Sequence, residues 1–274
     1  MPLSSADIGK ELPEYRFSWS ARDAILYALA VGAGPDELAC LYEGAGPLVV
    51  PTFGVVPAFP ALAGGIGTLD FDRRMTLHGA HRIQLHRPIP PAGAATTRSR
   101  IMHVWDKGAD AVVVAEGVST DDDGVPLFTN EFTAFVRGAG GFGGDRGPST
   151  RDERPGREPD RLIELTTVPT QALLYRLCGD LNPLHVDTEV AAAAGFPRPI
   201  LHGLCTFGFV GRALFSAFSD RDPERFRSMS ARFLGVVFPG EHVTVRCWVA
   251  ESSIRVVASV DDRESVVLDG HVVA

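Results

Sequence analysis

The stretch LCTFGFVGRALFSAF at residues 204–218, with the alternating sequence that follows it, decides the fold. Its apolar side chains recur at helical spacing, which predicts a helix that is buried on nearly all sides. These side chains belong to Leu204, Phe207, Leu214, Phe215 and Phe218. Apolar residues then recur at every second position over 243–249, 254–260 and 266–272, which predicts consecutive antiparallel strands. A long buried helix followed by such strands predicts an α+β unit in which the sheet curls around the helix.

Two short motifs indicate that this unit occurs twice in the chain. ILYAL at 25–29 resembles LLYRL at 173–177, which lies 148 positions later. PAG at 91–93 resembles FPG at 238–240, which lies 147 positions later. Because the two separations agree so closely, we predict a duplicated unit whose sheets continue into each other and so protect an edge strand.

A glycine-rich and then charged stretch at 138–160 lies between the two copies and predicts a linker. We therefore assign residues 1–150 to a first repeat and residues 151–274 to a second. The copies differ in the middle, because the first has a proline-rich stretch at 44–69 where the second has its long helix. Closely spaced prolines interrupt a helix and exclude a continuous membrane span. We expect a buried, irregular or broken segment there, which leaves the non-catalytic first repeat with room for an apolar substrate tail.

Charge and cysteine content exclude several classes of protein. The chain has 34 acidic and 26 basic residues, a formal net charge of −8, so no broad basic surface is available for a nucleic acid. The four cysteines have no paired spacing, which excludes a disulfide scaffold and a structural zinc site. The first residues lack the apolar core of a signal peptide, and the final VVA is not a peroxisomal address. We therefore expect a cytoplasmic protein that binds neither nucleic acid nor membranes.

The polar cluster with the clearest chemical meaning lies in RLCGDLNPLHVD at 176–187. Asp180, Asn182 and His185 place a carboxylate, an amide and an imidazole in an irregular segment between two predicted helices. A carboxylate and an imidazole can hold one water molecule between them and move its protons, which suits addition or removal of water. For these three residues alone, a capped turn and a structural histidine explain the sequence equally well.

A second feature favours a catalytic site over that structural alternative. Gly203, eighteen positions after His185, begins the apolar helix and directly follows His202. The first N–H groups of a helix have no partner within the helix and carry partial positive charge, so they can stabilise a developing oxyanion. The corresponding positions of the first copy hold Gly32, Gly34 and Glu37, so we expect one site per chain.

The two motifs identify a family. YRLCGDLNPLH at 175–185 and PILHGLCTFG at 199–208 resemble the MaoC-like, type 2 enoyl-CoA hydratases, and most of all the hydratase portion of the multifunctional enzyme of peroxisomal β-oxidation. The likeness extends into the first repeat. It is carried there by YALAVGA at 27–33, PTFGV at 51–55, LHG at 77–79 and GGFGG at 140–144.

The resemblance implies a double hotdog fold, a homodimer, and reversible hydration of a trans-2-enoyl-CoA to a (3R)-3-hydroxyacyl-CoA. By it, Asp180 and His185 form the catalytic acid–base pair, and Asn182 orients the water or the histidine. The Gly203 N–H would bind the thioester oxygen. Some relatives carry an acidic residue where this chain has Ala80, so an acid at that position does not assist here.

The coenzyme A thioester is then the substrate, and we expect neither a cofactor nor a metal. Asp180, His185, Asp187 and His202 lack the close paired spacing of metal ligands. Guanidinium groups bind phosphate in a bidentate manner, so several arginines are candidates for contacts with the coenzyme. The substrate-binding candidates are Arg176, Arg198, His202 and Arg232, with Arg212 as a further arginine.

Three alternatives stay open at this point. The acyl group could be attached to a carrier protein, or could be branched or derived from a sterol. Hotdog folds also serve as thioesterases, in which water attacks the thioester carbonyl. A third alternative is an inactive acyl-CoA binding module, against which the intact motif argues.

Overall fold

The computed structural model describes residues 3–72, 76–149 and 155–274. Ten antiparallel strands form a single sheet in these residues. The strands are β1 (Tyr15–Trp19), β2 (Thr76–Leu85), β3 (Gly93–Asp106), β4 (Ala111–Thr120), β5 (Pro126–Val136), β6 (Arg161–Thr166), β7 (Ser228–Phe233), β8 (His242–Val249), β9 (Ile254–Val260) and β10 (Ser265–Val273). The α-helices are α1 (Ala21–Ala30), α2 (Leu38–Leu41), α3 (Val55–Phe59), α4 (Gln171–Tyr175), α5 (Thr188–Ala193) and α6 (Gly203–Phe218).

The strand order shows the duplication directly. It runs β1-β3-β4-β5-β2-β7-β10-β9-β8-β6, so the second half repeats the order of the first in the opposite direction. The halves join where β2 pairs with β7, with Ala80 opposite Arg232 and Gln84 opposite Ser228. The predicted double hotdog with a continuous sheet is therefore confirmed. The assigned boundary between residues 150 and 151 lies outside the described residues and stays a prediction.

Helix α6 is the long helix expected from the sequence, and it packs against the first repeat. A Cβ atom on Gly208 would lie 2.4 Å from Cγ1 of Val31. A Cβ atom on Gly211 would lie 2.5 Å from Cγ2 of Thr52. Glycine is required at both positions because the helix backbone approaches its neighbours this closely.

The proline-rich stretch is largely buried and irregular, as expected, although its helical turns run without a gap from residue 51 to residue 66. A 3-10 turn at Pro51–Gly54 leads into α3, and one turn of π-helix follows at Pro60–Gly64. Pro57 and Pro60 lack the N–H that a regular helix needs, which explains the change of helix type. This segment occupies the place in the first repeat that α6 occupies in the second.

One local expectation differs from the structure. The glycine-rich start of the expected linker is bound to the first repeat, because the Asp106 carboxylate accepts hydrogen bonds from the N–H groups of Gly141 and Gly143. Glycines allow these N–H groups to converge on one carboxylate, and their hydrogen bonds lower the pKa of Asp106.

No helix within the described ranges is both long and apolar enough to cross a bilayer.

The first repeat has a structural counterpart of the polar cluster, but with different chemistry. A 3-10 turn at Pro35–Glu37 lies 148 positions before an equivalent turn at Pro183–His185. Glu37, in the place of His185, forms an ion pair with Arg212 of α6, and both side chains are largely buried. This pair ties the second repeat to the first and accounts for Arg212, which lies away from the polar cluster.

Replacing Glu37 by Gln leaves the Arg212 guanidinium buried without its carboxylate. We expect Glu37→Gln to lower the free energy of unfolding by roughly 3 kcal/mol, measured by urea denaturation at pH 7. The matched control is Glu43→Gln, which changes an exposed carboxylate and should shift it by less than about 0.5 kcal/mol. Equal effects of the two substitutions would contradict the assignment of a buried ion pair.

Candidate active site

The catalytic segment is held in shape by its own polar side chains. Gly179 has a φ of 122°, a backbone conformation that favours glycine, and it turns the chain after α4. Oδ1 of Asp180 accepts a hydrogen bond from the Asn182 N–H over 3.2 Å. Oδ1 of Asn182 accepts one from the Leu184 N–H over 3.1 Å and so caps the turn that carries His185. Asn182 therefore positions both members of the predicted pair.

His185 is buried, with 8% of its surface exposed, and its ring is fixed by the backbone. Its Nδ1 lies 2.9 Å from the carbonyl oxygen of Ile200. A carbonyl oxygen only accepts hydrogen bonds, so Nδ1 carries the proton and Nε2 is left with a free lone pair. His185 thereby has the tautomer that a general base requires.

The side chain of His202 packs directly against that of His185. Its ring stacks on the His185 ring with the centroids 3.7 Å apart and the planes 28° from parallel. Its Nε2 donates a hydrogen bond to the backbone carbonyl of Asp180 over 3.1 Å. Burial lowers the pKa of His202 to about 3, and the adjacent His185 adds to that effect. A neutral His202 thus contacts both the acid and the base.

Burial brings the proton affinities of Asp180 and His185 closer together. It raises the pKa of Asp180, against the opposing effect of the nearby imidazole. It lowers the pKa of His185, against the opposing effects of the Ile200 carbonyl and the Asp180 carboxylate. Two groups of similar proton affinity can exchange a proton through a bound water molecule, which is the chemistry expected of this pair.

The same cluster satisfies the distance requirement for a metal site. One ligand atom each from Asp180, His185 and His202 lies within 4.8 Å of the others. However, Nδ1 of His185 and Nε2 of His202 are each engaged with a backbone carbonyl, and the two rings are stacked. The arrangement suits acid–base chemistry better than shared metal coordination, and the absence of a metal stays a prediction.

A cavity of about 740 Å³ opens in front of the pair. Asp180, His185 and Gly203 line one side of it. Gly203 is the first residue of the 16-residue helix α6, where the N–H groups lack intrahelical acceptors. The cavity therefore combines a candidate base, a candidate acid and a candidate oxyanion donor within one space.

The structure sorts the predicted site residues into two groups. Five of them line the cavity: Asp180, Asn182, His185, Gly203 and Arg232. The other three do not line it. His202 stacks on His185, Arg198 lies over the Phe238 ring at 4.8 Å and donates to the Pro239 carbonyl, and Arg176 has its Nε buried.

Arg232 lies close to the position of the departure at Ala80. The two residues lie opposite each other across the β2–β7 pair, so an acidic side chain at position 80 would stand beside the guanidinium. Here the partner of Arg232 is Asp269 of β10, at 2.8 Å.

The opposite wall of the cavity was not predicted. It is aromatic and comes mostly from the first repeat, with Phe59, His78 and Phe132 facing Phe233 of β7. His78 stacks on Phe132 with the centroids 4.0 Å apart. Alternation in β5 indicates that Phe132 points inward, but a sequence pattern does not show whether an inward position faces a cavity or a packed core.

The thiols near the site are not nucleophiles. Burial raises the pKa of Cys178 to about 12, and burial also raises the pKa of Cys205 well above its usual value. This agrees with the expectation that neither cysteine takes part in the chemistry.

Comparison with known families covers both repeats. The MaoC like domain matches residues 151–269, and the MFE-2 hydratase 2 N-terminal domain matches residues 17–138. The enoyl-CoA hydratase ChsH3 of Mycobacterium tuberculosis is 44% identical over 277 residues, which cover 95% of this chain and 93% of that protein.

Two solved structures resemble the whole chain. A MaoC-like dehydratase from Phytophthora capsici has a TM-score of 0.87 at 31% identity, over 99% of this chain and 97% of the other. The full-length peroxisomal multifunctional enzyme type 2 of Drosophila melanogaster has a TM-score of 0.85 at 34% identity, over 96% of this chain and 48% of the longer enzyme. The resemblance seen in the two sequence motifs is thereby confirmed.

The protonation of His185 can be measured directly. We expect its imidazole resonance to titrate below pH 6.5 in an NMR titration, because burial disfavours the imidazolium. Asp180→Asn should lower this pKa further, since the carboxylate favours the imidazolium. Asp187→Asn, which changes an exposed capping carboxylate, should leave it unchanged. A wild-type titration at or above pH 6.5 would contradict the burial argument.

Proposed function

Because the chain belongs to the MaoC-like hydratase 2 family, we propose that it catalyses reversible hydration of trans-2-enoyl-CoA to (3R)-3-hydroxyacyl-CoA in fatty acid metabolism. The observation that carries the proposal is the common cavity of Asp180, His185 and the first residue of α6. It supplies the three groups that addition of water to a conjugated thioester needs: a base, an acid and an oxyanion donor.

The reaction follows from the positions of these groups. The Gly203 N–H donates a hydrogen bond to the thioester oxygen, which makes C3 of the enoyl group electrophilic. A water molecule held between the Asp180 carboxylate and Nε2 of His185 attacks C3 as one of them accepts its proton. That proton is then delivered to C2 on the same face. One water molecule thus supplies the hydroxyl on C3 and the hydrogen on C2.

Asn182 and His202 position the reacting groups. Asn182 caps the turn of His185, and its N–H bonds to Asp180. His202 stacks on the His185 ring and bonds to the carbonyl of Asp180, so it fixes the separation of the two. A neutral stacking partner also avoids repulsion when His185 takes up a proton.

The proposal also covers the form of the substrate, the cofactor requirement, the oligomeric state and the cellular location. The coenzyme A thioester is the substrate and no cofactor takes part, since proton transfer and oxyanion stabilisation suffice for hydration. The family resemblance supports a homodimer, and the composition of the chain supports a cytoplasmic location.

The first experiment follows the conjugated thioester spectroscopically. Purified protein should remove the absorbance of crotonyl-CoA and of a long-chain trans-2-enoyl-CoA, with chiral analysis giving the (3R)-hydroxy product and no free thiol. Release of thiol without hydration would identify a thioesterase instead. No reaction with either coenzyme A ester, but hydration of the carrier-protein or sterol-derived ester, would correct the substrate class.

Substitutions in the pair test the mechanism. We expect Asp180→Asn and His185→Ala to lower the hydration rate by roughly two to four orders of magnitude, because each removes one of the two proton-transfer groups. The control Asp187→Asn retains a side chain that can cap α5 and should keep the wild-type rate. Near-normal turnover by a folded Asp180 or His185 variant would refute the assignment.

A further inference from the structure

The direction of the acyl chain follows from the shape of the cavity. Its solvent-exposed lining includes Arg137 and Leu234, the latter with 54% of its surface exposed. The large, charged coenzyme must stay on this side. Its inner lining includes Leu204, which is 3% exposed, and the aromatic wall. An acyl chain whose C3 lies at Asp180 must therefore continue inward, past Phe59 and Leu204.

A second, much smaller space lies beyond that point. Its volume is about 20 Å³, room for about one water molecule. Apart from Asp180 and Tyr175, the side chains around it are apolar: Phe17, Val55, Val56, Phe59, Pro60, Cys178 and Leu204. Asp180, Phe59 and Leu204 line both spaces, so they form the partition between the reaction chamber and this apolar pocket.

Of the three residues in the partition, Phe59 is the one that can move. Leu204 lies in the first turn of α6 beside the oxyanion donor and is fully packed, and Asp180 is part of the acid–base pair. Phe59 is only half-buried and makes an edge contact with Phe132, with the centroids 6.4 Å apart. It is the last residue of α3, directly before the π-helical turn at Pro60–Gly64, where the helical hydrogen bonding is already irregular.

We propose that Phe59 sets the acyl-chain length that this enzyme accepts. In its present position the ring stands between the chamber and the apolar pocket, and so favours short chains. Longer chains must displace the ring to reach the apolar pocket behind it. The inference rests on the proposed function, and it adds a specificity-determining residue from the repeat that lacks the catalytic pair.

The test compares chain-length selectivity in a series at one position. We measure kcat/KM for trans-2-dodecenoyl-CoA and for crotonyl-CoA in the wild type, Phe59→Ala, Phe59→Leu and Phe59→Trp. Phe59→Ala should raise the dodecenoyl-to-crotonyl ratio at least about tenfold, Phe59→Leu less, and Phe59→Trp should lower it. The matched control is Phe135→Ala, which removes a ring from another part of the cavity lining and should leave the ratio within about twofold.

A binding measurement separates this inference from the proposed function. Dodecanoyl-CoA and butanoyl-CoA lack the double bond and cannot be hydrated, so their Kd values report binding alone. The dodecanoyl-to-butanoyl Kd ratio should fall most in Phe59→Ala, fall less in Phe59→Leu and rise in Phe59→Trp. If the wild type hydrates neither enoyl ester, the proposed function fails, and the Kd ratios still judge Phe59. If Phe59→Ala does not fold, Phe59→Leu and Phe59→Trp carry the comparison. Ratios within about twofold of wild type in every folded Phe59 variant would overturn the inference.

Discussion

Close packing of α6 against the first repeat is the contact on which the site depends. Gly208 and Gly211 let the helix backbone approach Val31 and Thr52 to a distance that no side chain would permit. The beginning of α6 supplies the Gly203 N–H, so the depth at which the helix lies sets the position of the oxyanion donor. The same contact determines how far the aromatic wall of the first repeat stands from the acid–base pair.

The chemistry of the pair depends on burial as much as on residue type. An exposed aspartate and an exposed histidine would differ widely in proton affinity, whereas burial shifts their pKa values towards each other. Burial has a cost, since each polar group removed from water needs a partner. The carbonyl oxygen of Ile200 accepts a hydrogen bond from His185, and that of Asp180 accepts one from His202. The Asn182 N–H donates to the Asp180 carboxylate, and the Asn182 side-chain oxygen accepts from the Leu184 N–H. The local backbone thus holds the proposed acid–base pair in place.

Much of the fold could be predicted from the sequence because the spacing of apolar residues and the internal repeat indicated the same architecture. The helix at 204–218 and the alternating strands after it were each expected from their periodicity, and a fixed separation of motifs gave the second copy. The prediction of the linker was less accurate. The composition indicated a glycine-rich linker, but it did not show that the N–H groups of Gly141 and Gly143 bind the Asp106 carboxylate. Such a contact joins residues far apart in the chain, which a local pattern does not record.

The residues of the candidate site also differ in whether a local sequence pattern reveals them. Asp180, Asn182, His185 and Gly203 lie in two short segments with a distinctive order, so they could be found from sequence. The aromatic wall could not, because its members come from separate elements that meet only in the folded chain. The role of His202 was also missed, since sequence shows that an imidazole is present but not that it stacks on another.

The loss of symmetry between the repeats explains why there is one site and why it has room for a substrate. In the first repeat, a Cβ atom on Gly32, the counterpart of Asp180, would lie 2.3 Å from the Phe209 ring of α6. The counterpart of His185 is Glu37, which is bound to Arg212 of the same helix. A long α6 therefore fills the potential second site with its own side chains. The corresponding segment of the first repeat, residues 51–66, is also helical but changes between 3-10, α and π turns. Divergence of the two central segments thus leaves one potential site filled by α6 and the other open to the cavity.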